Sequence, residues 1–265
     1  MFPFLLRFQK PQTIVEVGAF SGDDKLIDAC RRYRHHLYLF EPNPQRVAEL
    51  RRKTAGAPTI HVLPIAVSNY DGRANFHISC YDDCSSLQDF DDGANRNWVH
   101  PWHPYKHFEM VNQVEVEVTR LDTFFARLGI RSVDLLEIDA QGEDLRVVES
   151  LGERIRDVGK IQIEVNIHSS PLYRNSFSRA EAETLFAANG FESHVSWKQS
   201  MNREENIVFR NRRFYPHSVL NRLTSSLESF ARSAYFAWVK LPRVIAVTGM
   251  VLRHKMRGQR VEGGV

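Results

Sequence analysis

The sequence predicts an α/β fold: a mainly parallel, seven-stranded sheet with helices on both faces. Three observations predict it. Apolar runs of strand length at residues 14–17, 37–40, 60–63, 135–138 and 161–165 alternate with amphipathic stretches at 24–33, 44–53, 121–128 and 143–151. The strand runs are dominated by Ile, Leu and Val, with single polar residues such as Glu16, His61 and Glu137 among them, and such alternation with helices favours a mainly parallel sheet covered on both faces. Near the end, a helical stretch at 179–189 closes on Gly190, and two further strand runs, 192–196 and 206–209, complete the count of seven. As a pair joined by a loop, they would place one antiparallel member at the sheet edge.

Each element has a local reason. Asn43 followed by Pro44 reads as an N-cap and first-turn proline, so a helix starts there. Residues 74–78 follow the turn Asn69-Tyr70-Asp71-Gly72. Residues 114–118 alternate strictly, with Val114, Val116 and Val118 on one face and Glu115 and Glu117 on the other. This predicts a half-exposed strand near an edge. Between these two strands lies a long segment, 81–113, with Asp82, Asp83, Asp91, Asp92, Trp98, His100, Trp102, His103, Tyr105 and His107. It is expected to be an irregular binding loop whose aromatic, His and Asp side chains, Trp102 and His103 among them, suit a polar ring-shaped substrate.

Charge divides the chain. Residues 1–209 carry 24 Lys+Arg against 30 Asp+Glu, while residues 210–260 carry eleven against one. The expected organisation is a domain over 1–210 and a basic amphipathic helical tail over 211–265. In the tail, Val219, Leu220, Leu223, Leu227, Phe230, Ala231 and Ala234 keep helical spacing. Phe236, Trp238, Lys240 and Arg243 then suit an anionic membrane surface. The alternative is a helical tail packed on the core or on another subunit of a homo-oligomer. Three cysteines, Cys30, Cys80 and Cys84, are too few for a disulfide framework. The apolar start has neither a basic leader nor a small-residue cleavage site. A cytoplasmic protein, peripheral at most at the inner membrane surface, is expected.

In a sheet of this kind ligands bind beyond the carboxyl ends of the strands. The first strand ends in E-V-G-A-F-S-G, residues 16–22, and the second ends on Glu41 in F-E-P. A small-residue turn lets backbone approach a ligand, and a carboxylate about 20 residues later can accept both hydroxyls of a ribose. Phe20 breaks the G-x-G-x-x-G pattern, and there is no G-x-x-x-x-G-K-[ST] phosphate cradle. One nucleoside without phosphates fits S-adenosylmethionine. The acidic body argues against a nucleic-acid partner.

The ordered series V-E-V-G-A-x-x-G, F-E-P-N-P, P-I-A-V-S-N-x-x-G, S-S-L, T-R-L-D-T-F, L-L-E-I-D-A-Q-G-E-D and I-Q-I-E-V resembles the FkbM-type methyltransferase family over residues 13–209. The resemblance implies a class I methyltransferase fold, Rossmann-like and seven-stranded. It also implies S-adenosylmethionine as donor and O-methylation of a sugar, glycan or glycolipid acceptor. The alternatives are a protein or polyketide-type acceptor, or a non-catalytic S-adenosylmethionine-binding, membrane-associated protein. Carried over position by position, the family pattern implies cofactor contacts at Glu16, Gly18, Ala19, Glu41, Pro42, Ala66, Val67 and Asp139. It implies acceptor contacts at Ser85, Ser86 and Gln141. Glu16 stands where the family usually has Asp, and Glu137 where Lys is commoner.

A hydroxyl acceptor must lose its proton as the new bond forms. Asp139 and His168 lie just past strand ends, and both are candidate catalytic groups, with His168 preferred as base. A second route uses a divalent ion such as magnesium on Asp139, Glu164 and Asn166, three oxygen ligands at adjacent strand ends.

Overall fold

Helix starts are set by side chains that complete the first turn's unpaired amides. In this computed structural model, which describes residues 11–98, 107–200 and 203–215, Asp23 accepts from the Lys25 and Leu26 amides and opens α1 (Asp24–Tyr33). Asn43 accepts from Gln45, with Pro44 at the first turn, and opens α2 (Pro44–Lys53). Ser178 and Glu181 form a reciprocal capping box at α6 (Arg179–Ala188). Between α2 and α6 lie α3 (Ala94–Asn97), α4 (Leu121–Leu128) and α5 (Asp144–Glu149). All described residues belong to the first of two units into which the chain divides, Met1–Trp98 with His107–Pro216. The expected tail beyond residue 215, and Trp102 and His103, lie outside the described residues.

The strands are β1 (Thr13–Val17), β2 (His36–Phe40), β3 (Ile60–Leu63), β4 (Ile65–Val67), β5 (Gly72–Ser79), β6 (Met110–Thr119), β7 (Val133–Ile138), β8 (Val158–Asn166), β9 (Phe191–Gln199) and β10 (Glu204–Asn211). Seven form one sheet of order β3-β2-β1-β7-β8-β10-β9. The pairs from β3 through β8 are parallel, and β10 runs antiparallel to both β8 and β9. The antiparallel strand is therefore second from the edge rather than at it, as the sequence had suggested. The chain makes the edge strand β9 first, then turns back and inserts β10 beside β8.

Side chains alternate across the sheet. Val15 and Val17 of β1, and Leu136 and Ile138 of β7, face a core built with Leu121, Phe124 and Phe125 of α4, Val147 and Val148 of α5, and Phe186 of α6. Ile14 and Leu135 face the other way, onto Leu26, Ile27 and Cys30 of α1 and Leu50 of α2. Each fully buried Phe or Ile contributes ~1.5–3 kcal/mol of transfer free energy, so helices are held on both faces as expected.

A second sheet, β4-β6-β5, stands apart from the first. Its β6 has Glu115 and Glu117 exposed and Val116 and Val118 buried, as the alternation predicted. It is the central strand of that sheet, however, not an edge strand. One solvated face produces the same alternation as an edge does. The described parts of the 81–113 segment, 81–98 and 107–113, carry more packing than an irregular loop would. Tyr81, Cys84, Ala94, Trp98 and Phe108 pack with Leu172 and Tyr173 into a small core of their own. The cysteines are free thiols, Cys30 and Cys84 buried. Among the described residues no helix is long and apolar enough to cross a membrane.

Candidate active site

The strand order reverses between β1 and β7, and a cleft opens there at the carboxyl ends of the strands, where α/β sheets bind ligands. Its volume is about 730 Å³, counted out to the open mouth. Gly18, Phe20, Glu41 and Pro42 line it from the first two strand ends. Ala66, Val67 and Phe76 line it from the second sheet, and Asp82, Asp83 and Ser85 from the loop after β5. Asp139, Ala140, Gln141 and Glu143 line it from the turn after β7.

Gly18 is held at φ +79°, a left-handed conformation, between two strands. Its amide and that of Ala19 both donate to the Phe40 carbonyl at 3.0 Å. A Cβ on Gly18 would fall 1.8 Å from the Asp139 carbonyl oxygen. The missing side chain lets β1 and β7 end side by side, with backbone forming the cleft floor.

Glu41 is 5 % exposed. Its Oε2 accepts from the Phe20 amide at 2.7 Å and its Oε1 from the Asn43 amide at 2.8 Å. Burial is the main cause that pushes its pKa up to about 7, with Asp82 adding to the rise; the two amides and Arg46 oppose it. Asp82 in turn accepts from Asn43 Nδ2 at 2.7 Å and Arg46 Nε at 2.6 Å. The Arg46 guanidinium lies 4.1 Å over the Phe20 ring centroid. Phe20, Glu41, Asn43, Arg46 and Asp82 thus tie the first turn, α2 and the loop after β5 together.

At the other end Asp139 is open to the cleft. Surrounding protein, together with Glu137 and Asp83, pushes its pKa up to about 6, against a hydrogen bond from Gln141. Gln141 Nε2 donates to Asp139 Oδ1 at 2.5 Å. Asp144, its pKa pushed up to about 7 by burial, accepts from the Ala140 and Gly142 amides and closes the same turn. Glu143 is 1 % exposed and accepts from Ser68, Arg146 and Gln88. Its carboxylate braces the wall.

Not every expected residue reaches the cleft. Ala19 is buried in the core under α1. Glu16 lies beside Glu137 in the β1–β7 register, with one oxygen buried and without a hydrogen-bond partner. Burial, then Glu137, Asp23 and Asp139, holds its pKa well above the ordinary range. Ser85 lines the cleft, whereas Ser86 is 1 % exposed and donates to the Gln141 carbonyl at 2.6 Å. His168 is outside the cleft lining, and its Nδ1 accepts from the Ser170 amide at 3.1 Å. Of the candidate magnesium ligands, Asn166 donates its amide to the His168 carbonyl at 2.6 Å. Among the described residues no group of three or more His, Cys, Asp or Glu converges with metal-holding geometry. Among the cleft residues the strand-end logic missed are Phe20, Phe76 and, expected only within the 81–113 loop, Asp82 and Asp83. The adjacent acids before S-S-L were the available signal for the last two.

The raised carboxyl pKa values fix a pH dependence of stability. Glu41, Asp144 and Glu204 at about 7, and Asp139 at about 6, bind protons more tightly folded than unfolded. Their contribution is complete below the ordinary carboxyl range, ~4, and is lost as pH rises through ~6–7. Asp71, Asp122 and Glu181, all lowered by hydrogen bonds, act oppositely and only at acid pH. The ligand-free chain is expected to melt at a higher temperature at pH 5.5 than at pH 8, by scanning calorimetry; a Tm that rises steadily to pH 8 contradicts it.

A seven-stranded sheet with β10 inserted antiparallel, and a cleft at its switch point, is the class I methyltransferase fold. The Methyltransferase FkbM domain matches residues 16–193, and the chain belongs to that family. This chain carries a methyltransferase domain over those residues. It is 27% identical over 141 residues to the 2-O-methyltransferase NoeI of Sinorhizobium fredii (strain NBRC 101917 / NGR234), covering 53% of this chain and 58% of that protein. The match thus spans little more than half of that relative. Similar solved structures include Aeropyrum pernix fibrillarin with bound S-adenosyl-L-methionine, with TM-score 0.41 and 13% identity over 76% of this chain and 67% of that one. Another is the Methanococcus jannaschii fibrillarin pre-rRNA processing protein, with TM-score 0.43 and 14% identity over 79% and 69%.

The cleft fits this cofactor on its own evidence. A Cβ at Gly18 would strike the Asp139 carbonyl, so the glycine lets the β1 and β7 ends pack into a floor of bare backbone. Glu41 keeps lone pairs beyond its two amide bonds for further donors.

Proposed function

We propose that the chain methylates a hydroxyl oxygen of a sugar or glycan acceptor. In this reading Glu41 accepts the ribose hydroxyls, Ala66 and Val67 flank the base, and Asp139 takes the acceptor's proton. S-adenosylmethionine supplies an electrophilic methyl group on a sulfonium centre. The chain's own residues hold donor and acceptor aligned, an effect that can supply up to ~7–11 kcal/mol in such reactions. As the acceptor oxygen gains the methyl group, its proton passes to Asp139, leaving a neutral ether.

The observation that carries the proposal is Asp139. It is a cleft-facing carboxylate with a pKa of about 6, close to the operating pH that favours general-base work. Ser85, Asp83 and Gln141 line the cleft as hydrogen-bonding partners for a polyhydroxyl acceptor. The lining includes no Lys, Arg or His among the described residues, which disfavours a phosphate-rich acceptor. The partial likeness to a protein named as a 2-O-methyltransferase supports oxygen as the methylated atom.

The test is transfer of label from methyl-labelled S-adenosylmethionine to a panel of neutral oligosaccharides, with acid hydrolysis to identify O-methyl sugars. Asp139→Asn is expected to lower kcat by ~100-fold or more, the usual scale for a lost general base, while cofactor affinity changes little. Label found only on protein, or none on any sugar, rejects the sugar acceptor. Activity unchanged by EDTA removes the magnesium route.

A further inference from the structure

We propose that Tyr173 is a positioning residue for methyl transfer, setting the orientation of the Asp139 carboxylate through Gln141. Nothing in the strand-end pattern marks Tyr173; it lies in the loop between β8 and α6. The inference rests on Asp139 serving the acceptor, as proposed above, but its geometry stands independently.

The chain of contacts is short. The Tyr173 hydroxyl lies 2.7 Å from Gln141 Oε1 and 3.0 Å from the Cys84 carbonyl oxygen. The same Gln141 amide donates through Nε2 to Asp139 Oδ1 at 2.5 Å. With Oε1 facing the phenol, the amide can present only its NH₂ to Asp139. Tyr173 thus fixes which way round the amide sits. Asp139 Oδ1 is engaged, and Oδ2 has no hydrogen-bond partner among the described residues.

The turn is held under strain. Gln141 is a non-glycine residue at φ +52°, and Gly142 follows at φ +94°. Such a backbone is strained and persists only where its surroundings over-determine it. Here they do. Ser86 binds the Gln141 carbonyl, Asp144 binds the amides on either side, and Tyr173 packs on Gly142, where a Cβ would fall 2.7 Å from the tyrosine Cβ. Tyr173 is 2 % exposed, so its hydroxyl is not competing with bulk water for Gln141. The loop after β8 therefore reaches across β7's end and grips the turn that carries Asp139.

A bond from Gln141 stabilises the charged form of Asp139, so losing it must raise the Asp139 pKa. The test is a 13C NMR titration of the full chain labelled at aspartate carboxyl carbons, with Asp139→Asn identifying the resonance. It needs no acceptor, so its outcome is independent of whether a sugar is ever methylated. In Tyr173→Phe the Asp139 midpoint is expected to move up by about half a pH unit or more. Gln141→Ala should produce a similar shift, and the double variant no further one. A midpoint that moves in Gln141→Ala but not in Tyr173→Phe overturns the proposal, as do two shifts that simply add. Tyr173→Phe keeps the buried ring; a far-UV spectrum and Tm close to wild type confirm a folded variant. If Tyr173→Phe unfolds, the same titration on Tyr173→Met decides. This variant lacks the hydroxyl and adds no charge that would itself shift the Asp139 midpoint, so an unmoved midpoint there overturns the proposal.

Discussion

Gly18→Ala is expected to abolish detectable S-adenosylmethionine binding and to destabilise the fold by ~3 kcal/mol or more. The two costs are separate. A left-handed conformation costs an L-residue ~1–2 kcal/mol. The larger cost is collision, because the new Cβ would lie 1.8 Å from the Asp139 carbonyl oxygen. That oxygen is backbone and has no rotamer to yield. Relief requires β1 and β7 to separate at their ends, where the Asp139 amide donates to the Val17 carbonyl at 3.0 Å. The cleft floor would then shift along with Asp139. Calorimetric titration and thermal melts check both parts. A variant that melts and binds like wild type would show that the strand ends are not packed as described.

Glu41→Ala is expected to weaken cofactor binding by ~100-fold, about 2.7 kcal/mol, because hydrogen bonds to a charged group contribute ~1.5–3 kcal/mol each. It also strands the Phe20 and Asn43 amides in a buried setting. Glu41→Gln keeps the shape and removes the titrating group, but sets its NH₂ against one of the two amide donors. The sign of the pH effect follows from the raised pKa of about 7 in the free cleft. Hydroxyl donors favour the carboxylate, so binding must expel a proton wherever Glu41 starts protonated. Affinity is expected to fall by up to about tenfold per pH unit below 7 and to level off above it. Titrations at pH 6 and 8, in buffers of differing ionisation enthalpy, would read the proton directly. Equal affinity at both values, or a Gln variant that retains the pH dependence, would sink the assignment.

Some of this was legible in the sequence because local chemistry demanded it. A turn that admits backbone to a ligand favours a residue without a Cβ, and Gly18 sits one position past the five-residue strand Thr13–Val17. The N-cap at Asn43 with Pro44 could be read for the same reason. Other features depend on direction or partner, which spacing does not encode. His168 follows a strand end as a base should, yet its ring turns onto its own loop at Ser170. Ser85 and Ser86 are indistinguishable in S-S-L, but adjacent residues point apart, so one meets the cleft and the other the Gln141 carbonyl. Ile65–Val67 is only three residues long and belongs to a second sheet through its pairing with Glu117–Thr119. The aromatic residues of 81–98 read as a binding loop because their partners, Leu172 and Tyr173, lie more than 70 residues away.

The strand order also bears on how the chain can be assembled. β1 needs β7 as its second neighbour, and the Thr13 amide reaches Asp134 across 121 residues. Until residue 138 has been synthesised, Ile14–Val17 is an apolar strand with one open edge, a template for pairing with other chains. The insertion of β10 between β8 and β9 extends this. β9 has no sheet partner but β10, so it can join only when the last described strand arrives. Contacts of such long sequence separation close slowly, and a nascent chain halted near residue 200 would present β9 unpaired and β8 with one open edge. A chaperone that shields strand edges would therefore meet two open edges in turn, at β1 until β7 is made and beside β8 until β10 is made.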